Sequence, residues 1–350
     1  MNVTRLIHTG LCGTILKRLV RRRGVGLFAV LRRGVRHAER VSQENEFALR
    51  VVLHYTYPNY REASVLILHT NDDGIYAPGL AALDRHLRHL GETHVVAPAT
   101  EQSGVGHSIT YLTPLIVKEV YDGDRHWGWA VEGSPADCVR IGTKELLPNI
   151  PDLVVSGING GLNAGINVLY SGTVAAAVEG AFFGITSVSV SLEYDEHARF
   201  DDAASIAVGI IERLLEQKGT DPQLFNINIP TAALDGDPEV RVAPMNTVRF
   251  GDQFERRTDP WGRTYYWCTG NPPPPASQMV SDLSLLAEGC VSVTPLHFDL
   301  TESRLLEEMR TWDLKPRTSL VSGVEAVARP DVRPGKKRQS TAADSEEEPV

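Results

Sequence analysis

The chain has 350 residues, 42% hydrophobic, 23% charged and 7% aromatic, which is the make-up of one large globular domain with appendages. Its net charge of -9 argues against a general nucleic-acid binder, and its apolar runs are too short and too interrupted to span a bilayer. The four cysteines (Cys12, Cys138, Cys268, Cys290) form no C-x-x-C pair, which sets aside a disulfide framework and a zinc knuckle and suggests reduced thiols in a cytoplasmic protein.

Charge is unevenly spread. Residues 1–40 carry ten Lys/Arg against the single acid Glu39, which leaves the rest of the chain at -18. The leader is acid-poor, as a transit peptide is, but it is also poor in serine, so residues 1–63 are expected to be a disordered basic extension. An acidic body repels phosphate esters, and a substrate of that kind needs a local positive centre such as a metal.

Further along, strand and helix patterns alternate. Residues 65–68 read as a strand, and 78–90 as a helix with Leu80, Leu83, Leu87 and Leu90 on one face. A strand at 94–97 ends at Pro98, and a Gly/Ser loop follows at 100–108. Residues 113–120 and 127–131 read as a hairpin around Asp122-Gly123. A helix over 136–147 has Pro135 in its first turn. Then come a strand at 152–156, a Gly/Asn loop at 157–170, a helix at 173–183, a strand at 187–192, an amphipathic helix at 201–217 and a strand at 225–229. This rhythm predicts an α/β fold, a Rossmann-like and mostly parallel sheet with helices on both faces, over a core of about 64–240. From about 241 to 294 the helical rhythm stops. Trp261, Tyr265, Tyr266 and Trp267 predict a β-rich arm, a form of extension suited to self-association. The stretch 316–350 holds the basic cluster Lys336-Lys337-Arg338 and the acidic run Glu346-Glu347-Glu348, and is expected to be a disordered tail.

The chemistry is expected beyond the carboxyl ends of the strands, where open parallel sheets bind ligands. After the first strand comes Thr70-Asn71-Asp72-Asp73-Gly74. Two adjacent carboxylates at the end of a buried strand are costly unless a cation neutralises them; a helix-capping turn is the plainer alternative. After the second strand comes Glu101-Gln102-Ser103-Gly104, and after the strand at 152–156 comes Gly157-Ile158-Asn159-Gly160-Gly161-Leu162-Asn163. Carboxylates, a hydroxyl and amides brought to one edge form an all-oxygen donor set suited to Mg²⁺ or Mn²⁺. Tyr170-Ser171-Gly172-Thr173 opens an alanine-rich helix, where free N–H groups and hydroxyls make an anion pocket or a plain N-cap. Neither G-x-x-x-x-G-K-[ST] nor G-x-S-x-G is present, so a P-loop and a serine hydrolase elbow are both unsupported. His107 is expected to be a structural hydrogen-bond partner, His69 a packing residue, and Ser134 and Asp137 a helix cap.

Five stretches taken together resemble the SurE family of stationary-phase survival nucleotidases. They are Thr70-Asn71-Asp72-Asp73-Gly74-Ile75-Tyr76-Ala77-Pro78-Gly79-Leu80, Ala97-Pro98 leading to Glu101-Gln102-Ser103-Gly104, Gly133-Ser134-Pro135-Ala136-Asp137-Cys138, Val155-Ser156-Gly157-Ile158-Asn159-Gly160-Gly161-Leu162-Asn163, and Ser171-Gly172-Thr173-Val174-Ala175-Ala176-Ala177. The resemblance covers about residues 64–315. It implies a phosphoric monoester hydrolase, a 5′/3′-nucleotidase acting on nucleoside monophosphates and in some members on short polyphosphate. By the same matching, Asp72, Asp73, Ser103 and Asn159 would hold one divalent ion per subunit, with Mg²⁺ or Mn²⁺ expected. Asn163, Ser171, Gly172 and Thr173 would line the phosphate pocket, and Asp72 or Asp73 would be catalytic. It also implies a homodimer or homotetramer built through the arm, with no nucleic-acid or membrane partner. Two other readings differ in chemistry: a non-catalytic nucleotide-binding regulator, and a phosphatase that forms an aspartyl-phosphate, whose D-x-D motif is here an adjacent D-D-G.

Overall fold

In the computed structural model, residues 65–248, 253–269 and 280–315 are described; the expectations for 1–63 and 316–350 lie outside them. The chain divides into two compact units, Met1–Phe298 and Asp299–Val350.

The first unit is built on a twisted sheet. Its strands are β1 (Val65–Thr70), β2 (Gly91–Pro98), β3 (Val117–Asp122), β4 (Arg125–Val131), β5 (Leu153–Gly160), β6 (Thr186–Leu192), β7 (Leu224–Ile229), β8 (Val240–Val242) and β11 (Val291–Leu296). Among the described residues they lie in the order β3-β4-β2-β1-β5-β6-β7-β11-β8. Strands β4, β2, β1, β5, β6 and β7 run parallel, while β3 and β11 run antiparallel to their neighbours β4 and β7. The helices are α1 (Pro78–Leu87), α2 (Pro135–Ile141), α3 (Gly172–Phe182), α4 (Phe200–Gln217) and α5 (Asp282–Ala287).

Why β1 opens on an unbroken apolar run is visible in the core. In β1, Ile67 packs with Leu83 and Leu87 of α1 and Ile211 of α4 on one face. Leu66 and Leu68 point the other way, to Val139 of α2 and Ala176 of α3. A strand covered on both faces has no polar face to show. Each such side chain, fully buried, contributes roughly 1.5–3 kcal/mol. The central pair β1 and β5 is also stapled at its start, where Asp152 Oδ2 accepts the Leu66 N–H (3.0 Å) and Asp152 N–H donates to Leu66 O (2.8 Å).

Two expectations shift. Residues 157–160 continue β5 instead of opening a loop. After a register shift between Ser156 and Asn159, Asn159 pairs with Ser191 and Gly160 with Leu192. Gly157 has φ +142, and a Cβ there would fall on the carbonyl of Val190, so the glycine marks a close strand approach and not a turn. The expected arm of 241–294 also narrows. Strands β8 and β11 belong to the main sheet, and Val291 to Thr294 are buried there. Between them α5 is set by a capping box of Ser281 and Ser284, too short for periodicity to register. What stands apart is the antiparallel hairpin β9 (Gln253–Thr258) and β10 (Thr264–Thr269), exposed along its whole length. In the second unit, α6 spans Ser303–Met309.

Strand β1 leads through α1 to β2 on one side, while β5 lies on its other side. That reversal is the topological switch point, and it places the ligand crevice beyond the carboxyl ends of β1 and β5. Helix α1 crosses β5 closely because Gly79 has no side chain; a Cβ there would fall on the carbonyl oxygen of Ile158 and lie 3.1 Å from Phe200 Cε1. Gly79→Ala gains about 1 kcal/mol of helix propensity, but a backbone clash that no rotamer relieves costs more, typically 1–3 kcal/mol and here toward the upper end. Urea unfolding should show a net loss of roughly 2 kcal/mol; an unchanged or higher midpoint would contradict this packing.

Candidate active site

The site begins with Asn71, fully buried at the end of β1. Its amide closes a tight turn on one residue, accepting from Gly74 N–H (3.2 Å) and donating to Gly74 O (3.0 Å). Gly74 takes φ +103, which a side chain would resist. The turn thrusts Asp72 and Asp73 into the switch-point crevice.

Three segments then meet on these two aspartates. Asp72 O accepts the N–H of Gln102 (2.7 Å), which brings Ser103, the next residue, to the same rim. The Asp72 carboxylate takes the Thr173 hydroxyl and a main-chain hydrogen bond from Thr173, joining it to the start of α3. Asp73 takes a main-chain hydrogen bond from Gly160, the last residue of β5 and the neighbour of Asn159. Gly172 allows the close approach of α3; a Cβ there would lie 2.9 Å from Asp72 Cβ and 3.0 Å from its Oδ2. Ser171 caps the helix by accepting from Val174 N–H (3.1 Å). The positive end of α3 is thus aimed at the carboxylates.

The arrangement is short of positive charge. Burial pushes the Asp72 carboxyl above the ordinary carboxylate range, against the pull of its Thr173 hydrogen bonds. Asp73 is pushed up to about 6, first by burial and then by the neighbouring Asp72 charge, with Glu101 adding to it. Asn159 donates Nδ2 to Gly161 O, and among the described residues nothing donates to its Oδ1. Ser103 spends its proton on Glu101 (2.7 Å), which leaves its oxygen lone pairs available. Two carboxylates, a hydroxyl and an amide oxygen are hard donors. Among the described residues no group of three or more His, Cys, Asp or Glu is arranged to hold a metal ion, so an ion here would rely on the hydroxyl and amide oxygens beside the aspartates. The donor set fits Mg²⁺ or Mn²⁺, whose charge would relieve the crowded carboxylates.

Other expected residues fall nearby in supporting roles. Asn163 is buried and committed to a network: its N–H donates to Asn228 Oδ1 (2.8 Å), its Nδ2 to Ser191 (3.0 Å), and its carbonyl accepts from Asn226 and Asn228. The side chain holds the loop after β5 in place. Sequence reasoning passed over Asn226 and Asn228, although two amides alternating in the run Leu224–Ile229 were the available signal. His69 is fully buried, bonded through Nε2 to Gly157 O (3.0 Å), and burial pushes its pKa down to about 4, so it stays neutral and steadies β5 just before Asn159. His107 pairs with Glu179 (2.7 Å) and stacks on Phe182. Ser134 and Asp137 form the expected capping box of α2 and also hold the loop after β2, through Ser108 O and Thr110 N–H.

The sign of the Asp73 shift yields a test. Between its ordinary value of 3.8 and about 6, the folded protein holds a proton that the unfolded chain releases. Stability of the metal-free protein from this group is therefore lost as pH rises through that window. In chelator, the unfolding midpoint of wild type should fall relative to Asp73→Asn between pH 4 and 7. A difference that does not change with pH would refute the crowding.

Known proteins with this arrangement agree on one lineage. The family model described as "Survival protein SurE" matches residues 67–256. A 5′-nucleotidase SurE from Rhodopirellula baltica is 58% identical over 251 residues, covering 71% of this chain and 99% of the relative. One from Desulforudis audaxviator is 43% identical over 251 residues, covering 70% and 96%. The crystal structure of the SurE protein from Aquifex aeolicus superposes with a TM-score of 0.62 at 35% identity, covering 70% of this chain and 98% of that one. With the motifs, the switch-point crevice and these matches in agreement, the chain belongs to the SurE family.

Proposed function

We propose that this chain is a divalent-metal-dependent phosphomonoesterase that hydrolyses nucleoside 5′- and 3′-monophosphates, with short polyphosphate as a further substrate. The observation that carries the reading is the meeting of three segments on Asp72 and Asp73: Gln102-Ser103, Asn159-Gly160, and the Ser171-Gly172-Thr173 start of α3. Relatives named 5′-nucleotidase over nearly their full length support the nucleotide as substrate.

In this reading Asp72, Asp73, Ser103 and Asn159 hold one Mg²⁺ or Mn²⁺ per subunit. When bound, such an ion polarises a phosphoryl oxygen and makes a water acidic enough to react near neutral pH. The residues of the chain do the rest. Ser171 and the first N–H groups of α3 hold the phosphoryl oxygens and face the charge that builds on them. Thr173, whose hydroxyl is spent on Asp72, sets the angle of that carboxylate. Asn163 keeps the loop beneath the pocket in register. Asp73, free of side-chain hydrogen bonds among the described residues, is the carboxylate suited to accept the proton of the attacking water.

The domain boundaries follow the same reading: a nucleotidase domain over 64–315, with 1–63 and 316–350 as extensions. The exposed hairpin carries Phe254, Trp261, Tyr266 and Trp267 on its surface. A two-stranded ribbon is marginal alone in water, so we assign it to a homodimer or homotetramer contact. A cytoplasmic location accords with the buried free thiols of Cys138 and Cys290, and no helix of the described residues is long and apolar enough to cross a membrane.

Phosphate release from adenosine or guanosine monophosphate should appear with Mn²⁺ or Mg²⁺ and vanish in chelator; release that ignores chelator would exclude the metal. Losing one ligand removes several kcal/mol of charge stabilisation, so Asp73→Asn should lower kcat/KM by at least about 10²-fold without unfolding the protein. Near-native turnover of that variant in saturating Mn²⁺ would reject the assignment. Deleting residues 253–269 should reduce the assembly state in sedimentation, and an unchanged state would detach the hairpin from assembly.

A further inference from the structure

The turn that leads from β5 to α3 is held by a buried carboxylate with no role in the chemistry above. Asp282, in the first turn of α5, is fully buried. Its Oδ2 accepts the N–H of Gly165 at 2.7 Å; its Oδ1 accepts from Asn246 N–H and Leu283 N–H, each at 2.8 Å. Gly165 and Asn246 lie 117 and 36 positions from Asp282, so one carboxylate joins what sequence keeps apart, while Leu283 is its own neighbour in the chain.

The joint is tight as well as polar. Gly165 takes φ +58, and a Cβ there would lie 3.1 Å from Leu283 Cδ1 and 3.3 Å from Asn246 O. From Gly165 a single 3₁₀ turn, Gly165–Leu169, runs to the cap of α3. Asn167 O accepts both Tyr170 N–H (3.0 Å) and Ser171 N–H (3.1 Å), while Tyr170 O accepts Gly106 N–H (2.9 Å) from the loop that bears Ser103. Displacing Gly165 therefore moves Ser171 and Gly172 with little slack between.

The Asn246 N–H brings in a second stretch of chain. That stretch is further tied to the start of α5 by Asp282 N–H to Pro244 O (3.0 Å) and Asn246 Nδ2 to Ser281 Oγ (3.2 Å), so both are held as one against Gly165.

We propose that Asp282 is a positioning residue: it fastens the Asn246 stretch and the start of α5 to the Gly165 turn and so sets the phosphate-holding start of α3 against Asp72 and Asp73. This rests on the reading of Ser171 and Gly172 as the phosphate pocket. In Asp282→Asn one acceptor oxygen becomes an NH₂ group facing an N–H, so the turn is released. Misplacement of about an ångström costs up to 10²-fold in rate-determining geometry. The variant should raise KM for adenosine monophosphate and weaken inhibition by inorganic phosphate by the same factor, about tenfold, while Mn²⁺ affinity stays within about twofold of wild type. A role in folding alone would move Mn²⁺ affinity, KM and thermal midpoint together, or leave KM and phosphate inhibition unchanged in folded protein; either result overturns the proposal.

A second measurement needs no variant. In wild-type full-length protein with Mn²⁺, adding inorganic phosphate should slow hydrogen exchange at Gly165, Asn246 and Leu283 together with Ser171 to Thr173. Protection confined to Ser171 to Thr173, or absent from both groups, overturns the coupling. Absence of wild-type turnover would sink the nucleotidase reading, whereas the exchange pattern still decides this one.

Discussion

Everything in this fold is arranged around a repulsion. Asp72 and Asp73 stand side by side in a crevice where burial raises both carboxyl pKa values, and Glu101 adds a third negative charge at the rim. The protein meets that cost partly with dipoles: the start of α3 against Asp72 and the Gly160 N–H against Asp73. These dipoles order the carboxylates without discharging them. Ordered in this way, the pair keeps a fixed geometry and an uncompensated negative charge.

Much of the architecture was legible because strands buried on both faces carry apolar runs, broken only where a buried serine or amide finds a partner, as in β6 and β7. The runs around Leu66 to Leu68 and Leu153 to Val155 could hardly be anything else. The aspartate pair was legible for the opposite reason, since charge at the end of such a run demands an explanation. What stayed hidden was non-local. No local pattern says that Thr173 spends its hydroxyl on Asp72, or that Gly160 reaches Asp73, because both contacts depend on which strands become neighbours. Residues 157–160 read as a loop because glycine and asparagine favour turns. In the sheet those residues serve close approach and put Asn159 at the strand's end. Strand β11 reads only as part of a β-rich arm over 241–294, because nothing local says that it joins the main sheet beside β7.

The loops over the crevice illustrate how a rigid scaffold holds irregular backbone. The stretch after β2 is tied at Gly106 to Tyr170, at His107 to Glu179, at Ser108 to Ser134 and at Thr110 to Asp137. Each tie goes to a helix start or helix face already fixed by the core. Such a loop holds its shape without regular secondary structure, which is the condition for placing Ser103 reproducibly.

The Asp152 staple between β1 and β5 joins residues 86 positions apart in the chain. Everything between them, including β2, the β3–β4 hairpin and α2, must be laid down before those two strands can meet. Pairings of such long range are slow to close, because the entropy of the intervening chain is lost before any contact rewards it. The Gly160 N–H therefore meets Asp73 only once the centre of the sheet has closed. A nascent or half-assembled chain has the acidic pair but neither the Gly160 N–H nor the start of α3, the dipoles that hold the two carboxylates in place.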